Sequence, residues 1–318
     1  MSLETKPNRL YQYDTLRCVL IFCVIVGHCL LKFSTPLTEN LFRFFYSFHM
    51  PAFIFITGMM AKFDKRKILK HLLFPYVVFQ ILYLIADAMA KEEPITIQLF
   101  NPEWIMWYLL VILMYYLLIP MLPEKGSKWM IPLIGIMTVI ALVVGFTNSV
   151  GYYMSLSRFF VFFPFFLMGY YYQPLLGKRV ENRKIKTILI LAGALLFISG
   201  VAYIILKHVD MGSLYCATTY KSTNSTIWDR LIHMITGAGF IMMAIHLIPN
   251  KRIPVVSTIG QNTLPIFLLH GFVLNWLGKN NIFHFSTPIN LALTCIFAIV
   301  MMALFGNKLM GKLFKILF

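Results

Sequence analysis

The chain has 318 residues, 59% of them hydrophobic and 13% charged, with a mean hydropathy of +0.76 and a formal net charge of +16. A soluble domain is about half apolar and a quarter charged. The scarcity of charge and the long apolar runs exclude a soluble enzyme, a disordered chain and a disulfide-rich secreted module.

An all-α, polytopic membrane protein is what these runs predict. A bilayer core takes about 20 apolar residues per helix, and windows such as Ile185 to Leu206 and Ile289 to Phe305 supply that alone. In chain order, ten transmembrane spans are predicted, at about 15–33, 43–62, 68–89, 104–122, 129–147, 157–176, 185–206, 228–248, 257–277 and 288–306. They form a single transmembrane domain over 1–318, closed by a short amphipathic tail at 307–318. The first run starts at Arg17 without a small-residue cleavage site, and so reads as a retained anchor. Cys18, Cys23, Cys29 and Cys295 fall inside apolar runs and Cys216 has no loop partner, so neither a disulfide framework nor a metal spacing is indicated. No internal repeat of the transporter kind is visible.

The charge is distributed by side. With the N-terminus in the cytoplasm, twenty of the 28 Lys and Arg residues fall on the inner side. They are Lys6, Arg9 and Arg17, the cations of loops 62–70, 125–128, 178–186 and 251–252, and Lys308, Lys312 and Lys315. Orientation follows the Lys and Arg bias, so both termini are expected in the cytoplasm, with the protein multi-pass in the cell (cytoplasmic) membrane. The net charge thus reflects orientation in a lipid bilayer, and no nucleic-acid partner is implied.

Ionisable residues inside a bilayer are expensive and point to function by default. Arg17 and His28 lie eleven residues apart on the first span. That is three turns plus about 20°, which puts them on one face about 16 Å apart along the axis. A cation at the membrane edge can hold a phosphate, and an imidazole deeper in can move a proton. The plainer alternatives are a snorkelling anchor for Arg17 and a core histidine for His28. Asp14, one turn earlier, is expected to cap the helix.

These residues resemble a known family. Arg17 and His28 reproduce the Arg-x10-His motif of the acyltransferase 3 family of integral membrane proteins. Further segments resemble its sugar O-acetyltransferase, fucose O-acetylase-like branch: Phe48-His49-Met50-Pro51 to Gly58, Trp107-Tyr108-Leu109, Arg158-Phe159-Phe160 to Tyr170, and Leu264 to His270. The order of the matches, across about residues 10 to 275, is more specific than any one of them. Cys18, Ala52 and Thr57 depart from the pattern conservatively in size. No soluble module follows the last span, which leaves the acceptor open.

The resemblance implies a membrane-bound O-acyltransferase that moves an acyl group, by analogy acetyl, from acyl-CoA to a hydroxyl of a cell-envelope glycan or glycolipid. Acetyl-CoA is then a co-substrate, and no metal is implied. Such transfer needs a base or an acylated nucleophile, and His28 fits either role. Arg17, Arg66 and Lys70 are placed for the donor phosphates, although topogenic charge alone explains the last two. Alternating spans put His49, Trp107, Arg158 and His270 in the outer half, as candidates for the acceptor. Trp104 and Trp107 can be plain aromatic-belt residues, or Trp107 with Tyr108 can floor a sugar ring. The rival readings are a multi-pass transporter and a polysaccharide exporter or assembly protein without acyl-transfer chemistry.

Overall fold

The computed structural model describes residues 10–147, 150–173, 175 and 182–318. Lys6, Arg9, Lys178 and Arg179, counted above among the inner cations, lie outside the described residues, as does the end of the sixth predicted span. Among the described residues all regular structure is helical.

In chain order the helices are α1 (Tyr11–Cys29), α2 (Pro36–Tyr46), α3 (His49–Met60) and α4 (Lys65–Ile68), which runs through a π-turn (Leu69–Leu73) into α5 (Phe74–Lys91). Then come α6 (Trp107–Leu118), α7 (Met130–Val143), α8 (Leu156–Tyr170), α9 (Arg183–Leu206) and α10 (Met211–Leu214). The last five are α11 (Ile227–Leu247), α12 (Pro254–Gln261), α13 (Thr263–Lys279), α14 (Thr287–Phe305) and α15 (Lys308–Leu317). Among the described residues, seven stretches are long and apolar enough to cross a membrane: Tyr11–Lys32, Lys65–Lys91, Trp104–Met121, Tyr153–Tyr170, Arg183–Leu206, Ile227–Leu247 and Thr287–Phe305.

The other three predicted spans are not single long helices. The stretch 43–62 divides at Ser47 and Phe48 into α2 and α3, and 257–277 divides at Asn262 into α12 and α13. The stretch 129–147 is α7 followed by a short 3-10 turn, Val144–Phe146. Proline accounts for the divisions. A proline ring clashes with the carbonyl four residues earlier but is tolerated in a helix's first turn. Pro51 and Pro265 both lie in first turns, of α3 and α13, and the carbonyls they would strike belong to Ser47 and Gln261, where the preceding helices stop. Pro75 acts the same way on His71, and there the chain widens into the π-turn instead of breaking. Pro164 differs, since α8 runs through it. Non-helical backbone at membrane depth is tolerated only where protein or a cavity satisfies it, so the breaks point to the functional region.

α1 is the central helix. Most of it is buried, with Leu20, Ile21, Ile25 and Cys29 essentially without exposure, while Val19 remains exposed. It packs against α2, α3, α11, α12, α13 and α14. On the outside of the bundle α9 presents Ile188, Leu191, Leu195 and Ile198 outward, the pattern of a lipid-facing helix. The tail helix α15 docks through Phe314 and Phe318, whose rings lie 6.2 and 5.8 Å from that of Phe79. Its Lys308, Lys312 and Lys315 stay exposed, as do Leu309, Leu313 and Ile316, which suits an interfacial helix.

A labelling experiment reads the orientation. In a Cys295→Ser background, a cysteine introduced at the exposed Lys65 should resist an impermeant thiol reagent in intact cells and react once the membrane is opened. Labelling in intact cells would reverse the topology.

Candidate active site

Two histidines from opposite ends of the sequence meet inside the bundle. His28 lies at the end of α1 and His270 in the middle of α13, with His28 Nδ1 3.0 Å from His270 Nε2. The rings are nearly coplanar, 14° apart. His270 is fully buried, and its Nδ1 is 3.0 and 2.8 Å from the carbonyl oxygens of Ile266 and Phe267. Carbonyls only accept, so His270 Nδ1 carries the proton and Nε2 of the neutral ring is an acceptor. His28 must then donate from Nδ1, and its own Nε2 keeps a lone pair. The two main-chain carbonyls thus select the tautomer of a side chain they never touch.

Small residues beside each histidine admit the rings that hold the pair. A Cβ on Gly27 would lie 2.9 Å from the Tyr46 ring, and one on Gly271 would lie 2.7 Å from the Trp104 ring. Trp104 reaches within 5.1 Å of His28, centroid to centroid, and Tyr46 within 6.5 Å. Trp104 has φ of 38°, a left-handed conformation that a bulky residue adopts only where its surroundings impose it. The segment carrying it is tied to α5 by the buried Gln80. That amide donates to the carbonyls of Gln98 and Asn101 at 2.8 and 2.9 Å and accepts from Glu103 N at 2.9 Å.

A cavity of about 270 Å³ opens in front of His28. His49, Trp107 and Arg158 line it, joined by Trp104, Tyr46, Tyr152 and Tyr215. It lies at the end of the bundle that the charge pattern assigns to the outside. His49 occupies the first position of α3, directly after the break in the second predicted span. Its Nδ1 is 2.6 Å from the Phe45 carbonyl, so Nε2 is an acceptor here too. Trp107 is not a free platform, since Arg158 sits 4.8 Å above its ring and Phe162 stacks at 5.6 Å. His270 lies behind His28 and is absent from the cavity wall.

A second cavity, about 160 Å³, shares Val24, Met50, Tyr108 and Phe267 with the first, so the two meet around these four residues. It extends toward the opposite end past Thr57, Tyr116 and His71. The π-turn that Pro75 forces brings His71 and Leu72 to its wall; such local widenings recur at functional sites. Thr57 Oγ1 donates to the Phe53 carbonyl and accepts from Tyr108, both at 2.9 Å, which pins the tyrosine at the junction. Arg17 lies one turn before Ile21 on α1; Ile21 and Val24 line this cavity, and Arg17 itself is not among the wall residues. Arg66 and Lys70 are exposed at the same end. Asp14 does not cap α1, whose N-cap is Leu10 without a side-chain bond. Instead it accepts from Gln261 at 3.1 Å, tying α1 to the end of α12.

Tyr46, Tyr152, Tyr215 and Gln80 carry no sequence signal as site residues, because tyrosines and glutamines recur throughout the chain and only the packing brings these together. Among the described residues no group of three or more His, Cys, Asp or Glu could hold a metal ion.

A central helix carrying Arg17 and His28, a second histidine on the imidazole and two meeting cavities lie within a bundle whose long apolar helices mark a multi-pass membrane protein. A family model described as an acyltransferase domain matches residues 10–306, and the chain belongs to that acyltransferase 3 family of membrane acyltransferases. No curated protein and no solved structure matches the chain.

Proposed function

We propose that the protein is an O-acyltransferase that passes an acyl group, acetyl in the simplest case, from acyl-coenzyme A to a hydroxyl of a cell-envelope glycan or glycolipid. The observation that carries this is the His28–His270 pair, which leaves His28 Nε2 as a basic lone pair on a ring lining the larger cavity. The acceptor oxygen attacks the thioester carbonyl carbon, and His28 Nε2 takes its proton. The C–O bond forms, the C–S bond breaks, and the proton passes to the departing sulfur to give free coenzyme A. The imidazolium formed on the way is stabilised because Nδ1–H already points at His270 Nε2. His49, an acceptor at Nε2, suits a second hydroxyl of the incoming glycan better than a developing oxyanion.

The donor enters from the cytoplasmic end, with Arg17 on its phosphates and Arg66 and Lys70 at the entrance. Its thioester arm occupies the smaller cavity and reaches the junction at Tyr108. Arg17→Ala should therefore raise KM for acyl-CoA about tenfold or more, as the loss of a charge-assisted hydrogen bond implies. Arg17→Lys should recover only part of this, because an ammonium cannot make the bidentate contact. An unchanged KM in folded Arg17→Ala would return this residue to the role of anchor.

Transporters also use broken helices, but here the break before α3 delivers His49 to the cavity and the break before α13 precedes the helix that carries His270. Proteoliposomes test the reading directly. Labelled acetyl-CoA supplied on the α15 side should acetylate a glycan supplied only on the other side. Transport of an unmodified glycan, with the label unmoved, would support the transporter instead.

A further inference from the structure

We infer that the acceptor is an anionic sugar, with a carboxylate or phosphate seated against Arg158. This rests on the acyl-transfer reading for the site's chemistry, whereas the charge of the acceptor follows from Arg158 itself. Arg158 lies in the first turn of α8, and one of its donors is used: Nε bonds the Tyr215 carbonyl at 3.1 Å. Among the described residues, its two terminal amino groups have no protein acceptor and no carboxylate lines the cavity. The polar side chains beside it in the cavity wall include Tyr46, Tyr152 and Tyr215, which are neutral at pH 7.

Arg158 is half-buried, and the two fully buried arginines among the described residues differ from it. Arg43 is engaged by the Val209 carbonyl at 2.9 Å and by Glu39 at 3.5 Å, and Arg230 by the carbonyls of Ala141 and Thr218 at 3.3 and 3.2 Å. Those arginines are part of the packing. Arg158 instead has its guanidinium carbon 4.8 Å from the centre of the Trp107 ring, with its terminal amino groups left without an acceptor among the described residues. A cation drawn in from water needs a counter-charge to offset its desolvation, and a guanidinium fork matches a carboxylate or phosphate bidentately. The hydroxyls of Tyr46 and Tyr215, which make no hydrogen bond within the described protein, supply further donors beside it.

The cavity's 270 Å³ lies just below the ~300 Å³ floor of small-molecule pockets. It therefore holds about one sugar ring, and the acetylated hydroxyl belongs to the charged residue itself or to its immediate neighbour.

Binding to the purified, detergent-solubilised protein without acyl donor tests this. The probes are methyl glucuronoside, glucose 1-phosphate and neutral methyl glucoside. Wild type should bind at least one charged probe about ten- to a hundredfold more tightly than the neutral one at low salt, as a charge-assisted contact implies. The two charged probes separate carboxylate from phosphate. Arg158→Gln should bring the charged probes to the neutral level, and Arg158→Lys should retain a reduced preference, which guards against a glutamine variant that misfolds. Equal binding of charged and neutral probes by wild type, no binding of either charged probe, or a preference that survives in folded Arg158→Gln would overturn the inference. Thiol release from acetyl-CoA, measured on the same preparations, keeps the two readings apart. Charge preference without transfer sinks the transferase, whereas transfer to neutral sugars without charge preference sinks only the anionic acceptor.

Discussion

His28→Ala should lower kcat/KM for acyl transfer by about 10²–10⁴-fold, the usual cost of losing a general base, while the protein inserts and folds. His28 is the last but one residue of a helix that is mostly buried, and among the described residues its ring makes a single hydrogen bond, with His270. Loss of that one bond would cost stability of about 1 kcal/mol, so a structural histidine and a catalytic one differ in what fails. His28→Gln separates them further, since glutamine keeps hydrogen bonding and approximate size but cannot cycle a proton. Near wild-type transfer by His28→Gln, with normal expression and detergent stability, would remove His28 from the chemistry.

His270→Phe should cost almost as much, a fall in kcat of about 10²-fold or more. The ring shape survives but His28 Nδ1–H loses its acceptor, and nothing then holds the tautomer that exposes Nε2. In serine proteases the comparable loss of a tautomer-setting partner costs about 10⁴-fold. His270 lies behind His28 and off the cavity wall, so it is a positioning residue and acts through its neighbour. The signature is a kcat loss with KM for both substrates little changed, together with a displaced kcat–pH profile. His270→Gln should recover part of the rate, because its side-chain carbonyl can take the Nδ1 proton bond. A stability loss with an unmoved pH profile would mean that His270 only packs the core.

The first helix could be read from the residues alone. Its apolar run has no proline, so 3.6-residue periodicity holds from Tyr11 to Cys29, and the face shared by Arg17 and His28 follows. The second and ninth predicted spans were legible as apolar but not as broken. Hydropathy averages over the window and passes over Pro51 and Pro265, whose rings end the preceding helices. Grouping His49, Trp107 and Arg158 at one end needed only the alternation of spans. Pairing His28 with His270, 242 positions away, needed the packing of α13 on α1. The same is true of Trp104, whose place beside His28 depends on a backbone conformation the residue itself disfavours. Arg66 and Lys70 show the limit in the other direction, since exposure at the predicted inner end suits a donor entrance and a topogenic belt equally well.

The most direct measurement of the central claim is release of free thiol from acetyl-CoA by the purified protein, with and without a panel of neutral and charged glycans, for wild type beside His28→Gln. Wild type should release thiol in an acceptor-dependent manner, and His28→Gln only at the background rate. Thiol release by His28→Gln at the wild-type rate, or no release by wild type with any glycan in the panel, would contradict that claim.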